Sequence, residues 1–186
     1  MKSERVNKSL DDLCLLITDG AHRSPESKIE GMPMASVKDL TRYGINYESC
    51  RKISLEEFNS LKKSGCCPEI GDVLIAKDGA TALETVCVHN DKREICLLSS
   101  VAIFRTTEEL EPFYLKYLLE SPKTKYLLKG GYISGSAIPR VVLKDFKNLQ
   151  ISLPEKNEQK KISQILGSLD KKIELNQKTY KTLEEI

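Results

Sequence analysis

Ser152-Leu153-Pro154-Glu155-Lys156-Asn157-Glu158-Gln159-Lys160-Lys161-Ile162 is the stretch where this chain changes character. Beyond it, apolar residues fall at Ile162, Leu166, Leu169, Ile173, Tyr180 and Leu183, and Asn176 completes the alternating four-and-three spacing of a coiled-coil seam. The pattern predicts one uninterrupted helix running to Ile186, about 48 Å long at roughly 1.5 Å per residue. The short elements before it are too small to cover such a stripe, so the stripe calls for another helix. Asn176 costs stability at a seam position but can fix register. Pro154 divides the chain into residues 1–154 and 155–186. The predicted fold class is α+β, a globular mixed α/β domain followed by a long C-terminal coiled-coil helix.

Upstream of Pro154 the reading alternates between periods of two and 3.6. Ser9 is placed to cap a short helix over Leu10 and Leu13, and Leu15-Leu16-Ile17 reads as buried chain ending in the turn Thr18-Asp19-Gly20. A polar excursion from Asp19 passes Gly31 and Pro33 before Met34-Ala35-Ser36-Val37 resumes order. Ser54-Leu55-Glu56-Glu57 fits a capping box, with Gly65 ending a helix over 55–64 that carries Phe58 and Leu61. Val73-Leu74-Ile75-Ala76 is a buried strand, and Lys77-Asp78-Gly79-Ala80-Thr81 turns it into another around Thr85 to Val88. Val101 to Arg105 is a third β segment. Pro112 opens a helix that Pro122 stops or offsets. A glycine and serine loop, Lys129 to Arg140, leads through a helical turn at Leu143 to Phe146 into a strand over Leu149 to Leu153.

Composition limits the function classes. A chain of 186 residues, 40% hydrophobic and 30% charged, can bury one core and append one helix. No apolar run approaches the roughly 18 to 20 residues of a membrane span, and Met1-Lys2-Ser3-Glu4-Arg5 leads to Asp11 and Asp12 rather than a signal-peptide core, so a cytoplasmic location is expected. Six cysteines include no C-x-x-C, and the adjacent Cys66 and Cys67 are poorly spaced for zinc, so reduced thiols are expected. Cys14 and Cys87 sit in apolar runs, as core packers do. A net charge of +2 does not by itself announce a nucleic-acid binder; basic residues would have to gather on one face.

Four segments in order resemble the specificity subunits of type I restriction-modification systems. They are Ile17-Thr18-Asp19-Gly20-Ala21-His22, then Gly71-Asp72-Val73-Leu74-Ile75-Ala76-Lys77-Asp78-Gly79, then Gly135-Ser136-Ala137-Ile138-Pro139, and Ile151-Ser152-Leu153-Pro154 with Glu158-Gln159-Lys160-Lys161-Ile162. The resemblance implies that residues 1–154 are a DNA target recognition domain reading one half of a split site. It implies that residues 155–186 are a spacer helix pairing antiparallel with another and docking methyltransferase (M) subunits, and through them restriction (R) subunits. Family members carry two such domains and two helices. With one of each, this chain is similar to a half-subunit, for which a homodimer through the helix is expected.

Lysine and arginine neutralise phosphates, while arginine, serine, threonine and amide side chains bond to base edges. On that chemistry the candidate double-stranded DNA contacts are His22 and Arg23 after the first turn, Lys38 and Arg42 beyond the excursion, Lys77 and Thr81 around the hairpin, and Ser134, Ser136 and Arg140 in the glycine loop. Lys77 and Asp78 read equally well as a charged hairpin tip. Tyr126 and Tyr132 are expected to pack on the core. F-x-G-x-G, N/D-P-P-Y/F and G-x-x-x-x-G-K-[ST] motifs are all missing, so neither a cofactor nor intrinsic catalysis is expected. The competing class is a coiled-coil interaction module whose globular part does not read DNA.

Overall fold

The computed structural model describes residues 6–130 and 140–184. The chain runs through β1 (Val6–Ser9), β2 (Cys14–Asp19), β3 (Met32–Ala35), β4 (Leu40–Thr41), β5 (Gly44–Ile45), β6 (Arg51–Ile53) and α1 (Leu55–Lys63). It continues through β7 (Val73–Ala76), β8 (Val86–Val88), β9 (Cys96–Leu97), β10 (Val101–Thr106), α2 (Pro112–Glu120), α3 (Pro122–Lys129), α4 (Leu143–Lys147), β11 (Gln150–Leu153) and α5 (Lys156–Glu184). This is a mixed α+β arrangement with a long C-terminal helix.

The central sheet has the order β2-β10-β7-β8, all neighbours antiparallel. Its inner strands are covered on both faces, which is why Val73-Leu74-Ile75-Ala76 is apolar without alternation. Val73 and Ile75 join Phe104, Leu115, Leu119 and Phe146 in the cluster beneath α2 and α4, where the Phe104 and Phe146 rings meet edge to face at 5.2 Å. Leu74 and Cys87 point the other way, onto Ala35, Leu97 and Ile103. The sheet β6-β3-β9 lies there, with α1 packing Phe58 and Leu61 against Met34, Ile53 and Cys96. The predicted hairpin is present, with Val73 opposite Val88 and Ile75 opposite Val86.

Three local expectations need correction. Ser9 does use its hydroxyl as a cap does, accepting from Asp12 N at 3.2 Å, but the segment is a turn joining β1 to β2, not a helix. Leu10 and Leu13 are nevertheless fully buried. Leu15 is 72% exposed, because the pairing of β2 with β10 passes from Cys14 opposite Thr106 to Leu16 opposite Arg105 and leaves Leu15 as the unpaired residue of a bulge, turned away from the face that buries Ile17. Tyr126 is 80% exposed on α3 rather than packed on the core; Tyr132 lies outside the described residues. All six cysteines are free thiols, and burial pushes those of Cys14 and Cys87 up to about 12.

At α1, Ser54 Oγ accepts from Glu57 N at 3.2 Å as the capping box requires, while the Glu57 carboxylate pairs with Arg23 Nη1 at 2.6 Å. β11 pairs with β1, Leu153 opposite Val6, before α5 starts at Lys156.

α5 meets the rest of the chain through polar groups. Gln159 is 1% exposed; its amide accepts from Glu111 N at 2.9 Å and donates to Glu109 O at 3.0 Å and Pro154 O at 2.9 Å. Ser163 donates to Glu111 Oε2 at 2.5 Å. One turn on, Gly167 faces the Tyr117 hydroxyl. Asp170 then takes bonds from Lys116 Nζ at 2.6 Å, Tyr117 Oη at 3.0 Å and Arg42 Nε at 3.0 Å. Tyr43 Oη donates to Gln177 at 3.3 Å.

These contacts trace a second stripe that follows the apolar seam one residue later: Ile162 then Ser163, Leu166 then Gly167, Leu169 then Asp170, Asn176 then Gln177. One residue is a rotation of about 100°. The seam therefore stands beside the docked face, with Ile162 and Leu166 half-buried at its shoulder and Leu169, Ile173, Tyr180 and Leu183 48–66% exposed.

Candidate nucleic-acid interface

β2 and β7 flank β10 and run in the same direction, so both leave the sheet at the same end, Asp19 opposite Ala102 and Ala76 opposite Val101. Strands two places apart in a sheet lie about 9.5 Å apart. The Lys77 side chain covers that gap. Its ammonium sits 3.3 Å from Asp19 Oδ2 and 3.2 Å from Asp78 Oδ2, and the side chain is only 5% exposed. Lys77 is thus no hairpin tip, and its charge is neutralised inside the fold.

The pairing continues outward on both sides. His22 Nε2 lies 3.1 Å from Asp19 Oδ1, and Arg140 donates from Nε to Asp78 Oδ1 at 3.0 Å and from Nη2 to Asp78 Oδ2 at 3.3 Å. A backbone bridge joins Asp78 to Arg140, and Val141 N donates to Lys77 O at 3.0 Å. Three segments far apart in sequence, around 19–22, 77–79 and 140–141, are joined at one end of the sheet.

Gly20 explains why the first turn can lie so close. Ala21 N donates to Leu97 O at 2.7 Å and Ser99 N to Ala21 O at 2.9 Å, which presses residue 20 onto the 97–98 backbone; a Cβ there would stand 2.2 Å from Leu97 O. Only glycine permits the approach. Gly79, with φ of +93°, supplies a left-handed residue of the second turn, and Leu83, with φ of +67°, another.

The remaining sequence candidates divide. Arg23 flanks the first turn, pairing with Glu57 and donating to Ser60 Oγ at 3.2 Å, and is still half exposed. Thr81 is exposed in the turn that follows Asp78, whose far end is tied to α3 through Glu84, Lys125 and Lys129. Lys38 is exposed on a single 3-10 turn, Val37–Asp39. Arg42 is placed elsewhere: it pairs with Glu120 at 3.1 Å and Asp170 at 3.0 Å beneath α5, so it serves the helix. Ser134 and Ser136 lie outside the described residues.

Sequence reasoning reads Asp19 and Asp78 only as turn formers and gives them no role at the site. Their spacing from Lys77 across the sheet becomes visible once β2 and β7 are known to flank β10 and to run parallel to each other. Asp72, by contrast, marks the opposite end of β7; 1% exposed, it accepts from Arg105 at 3.0 and 2.9 Å, and is structural. No group of three or more histidine, cysteine or acidic side chains suited to a metal occurs among the described residues. No helix among them is long and apolar enough to cross a membrane.

Residues 3–185 match the family model for the type I restriction modification DNA specificity domain. The chain belongs to this family. A Methanocaldococcus jannaschii relative, the MjaX specificity subunit, is 25% identical over 94% of this chain and 43% of its own length. The type I restriction enzyme MjaVIII specificity subunit of the same organism is 32% identical over 59% of this chain and 26% of its own length. The HsdS subunit from Thermoanaerobacter tengcongensis superposes with a TM-score of 0.60 at 20% identity, over 94% of this chain and 39% of that one. That likeness is one of fold. This specificity-domain chain spans less than half the length of these relatives.

Proposed function

We infer that the chain is a non-catalytic DNA-recognition unit of a type I restriction-modification system. It reads one half of a split site and directs partner M subunits, and through them R subunits, to it. The family match over residues 3–185 carries this reading. The convergence of the first turn, the β7 turn and Arg140 at one end of the sheet supports a single DNA face there, in which His22, Arg23, Thr81 and Arg140 touch DNA.

The helix completes the proposal. Its exposed seam pairs with the same seam of a second copy, antiparallel, and the two recognition domains then stand at opposite ends. Two-fold symmetry of that pair calls for inverted half-sites. Residues 1–154 recognise and residues 155–186 space and assemble.

The test is duplex binding by the purified chain as a function of salt. Wild type is expected to bind with a steep fall in affinity as salt rises, the mark of phosphate contacts. Alanine at Arg23 is expected to flatten the log-log slope by about one unit, for the one phosphate no longer neutralised. An unchanged slope places the DNA elsewhere on the domain, and a wild type that ignores duplex DNA leaves only the helix-mediated interaction module. Methyl transfer by the purified chain alone would overturn the non-catalytic assignment.

A further inference from the structure

We propose that Asp78, together with Asp19 and Lys77, forms a buried strut that sets the positions of His22 and Arg140 and so gives the DNA face its sequence discrimination. The proposal deepens the recognition reading above and rests on it.

The five side chains form a linear charge chain, His22–Asp19–Lys77–Asp78–Arg140, every link 3.0–3.3 Å long. Exposure along it is graded. The end side chains are 76% and 60% exposed, whereas Asp19, Lys77 and Asp78 are 10%, 5% and 15% exposed. A chain buried in its middle and open at both ends is a spacer between two presented groups.

Two physical arguments assign it positioning rather than attraction. Carboxylates beside a polyanion weaken association, so a surface selected only for phosphate binding would not place Asp19 and Asp78 there. Buried ion pairs, in turn, contribute little net stability, because desolvation offsets their attraction. What the arrangement does provide is geometry. Asp78 holds the Arg140 guanidinium through two nitrogens, which fixes its plane and leaves Nη1 with its two protons for an acceptor on the duplex. At the other end Asp19 Oδ1 makes a single contact with the imidazole Nε2, at 3.1 Å, which ties the ring to the strut at one atom. Lys77 keeps the two carboxylates apart at a fixed distance, and its backbone is locked by Lys77 N to Ser100 O at 2.9 Å and Val141 N to Lys77 O at 3.0 Å. Asp78 is therefore a positioning residue for Arg140.

Asp78→Asn tests this on the full chain, because it preserves shape and removes the charge. A randomised duplex library is first used to select the sequence that wild type prefers. The variant is expected to lose at least about tenfold of the preference for the selected duplex over a scrambled one, the scale of one misplaced base contact. Its affinity for the scrambled duplex should stay level or rise, since a negative charge has left the face. Asp78→Glu, which keeps the carboxylate, should retain more of the preference than Asp78→Asn. A preference unchanged in Asp78→Asn overturns the strut. A second readout needs no DNA: with only two histidines in the chain, the His22 imidazole NMR signals are assigned by His22→Ala and should move in Asp78→Asn, three links away. If wild type selects no sequence, the recognition reading fails and the strut is judged on those signals alone. Displaced signals uphold it and stationary ones refute it.

Discussion

Asp170→Ala is expected to lower the thermal unfolding midpoint by about 10 °C, from a loss of about 3–5 kcal/mol when one partner of a buried pair is removed. The variant takes from Lys116, whose side chain is 5% exposed, its ion-pair partner, leaving its ammonium 4.7 Å from the Tyr117 ring centroid and within the field of the Glu120 carboxylate one turn on. It also removes the acceptor for the Tyr117 hydroxyl and for Arg42 Nε, leaving Arg42 with Glu120. Adding Lys116→Met should recover much of the loss, because replacing a buried pair by apolar atoms is frequently neutral. A double variant no more stable than Asp170→Ala would mean that the stranded ammonium is not the source of the cost.

The same residue gives a pH signature. Burial raises the Asp170 carboxyl, but the bonds from Lys116, Arg42 and Tyr117 outweigh it and hold the group below its ordinary value. A depressed carboxylate contributes stability that is complete above its unfolded pKa, about 3.9, and is lost as pH falls through the folded one. Glu120, raised by burial, has the opposite sign. Acid unfolding of Asp170→Asn should therefore be less steep below about pH 4 than that of wild type. Parallel acid curves for the two proteins would remove Asp170 from the balance.

Lysine at both Leu169 and Ile173 is expected to turn the proposed dimer into a monomer, raising the dissociation constant by about a hundredfold or more. In a symmetric pair the two substitutions occur twice. Each deleted side chain forfeits about 1.5 to 3 kcal/mol of burial, and the new ammonium groups would have to be desolvated in the seam. Both positions are about half exposed in the single chain, so the fold itself should be indifferent and the unfolding midpoint unchanged. Light scattering reads the result. A wild-type monomer at tens of micromolar, or a dimer that tolerates both lysines, would sink the seam.

Much of the recognition domain is legible in single residues. Val73-Leu74-Ile75-Ala76 announces a strand covered on both faces, Ser54 its helix start, Pro112 the start of α2 and Pro122 its end, whereas α3, which opens on that same proline, goes unread. β1 escapes notice because Val6-Asn7-Lys8-Ser9 has one apolar residue, and its pairing with β11 is a contact between the two ends of the domain. Leu15 misleads because a bulge is set by the register of β2 on β10, which an apolar run does not reveal. Lys77 and Arg42 look like exposed cations in the sequence, yet Lys77 is neutralised by its neighbour Asp78 and by Asp19 from a distant strand, and Arg42 by Glu120 and Asp170 from distant helices. The polar stripe of α5 is hidden for a different reason: hydrophobic periodicity scores Ile162, Leu166 and Leu169 and passes over Ser163, Gly167 and Asp170 beside them.

That stripe also bears on the thermodynamics of assembly. An amphipathic helix held by its greasy side can roll and slide, but hydrogen bonds from Gln159, Ser163 and Asp170 accept one rotation and one register. In the proposed dimer the apolar side is therefore aimed before pairing. The entropy of ordering α5 from Lys156 to Asp170 falls on folding rather than on association, so pairing need immobilise little more than the distal turns.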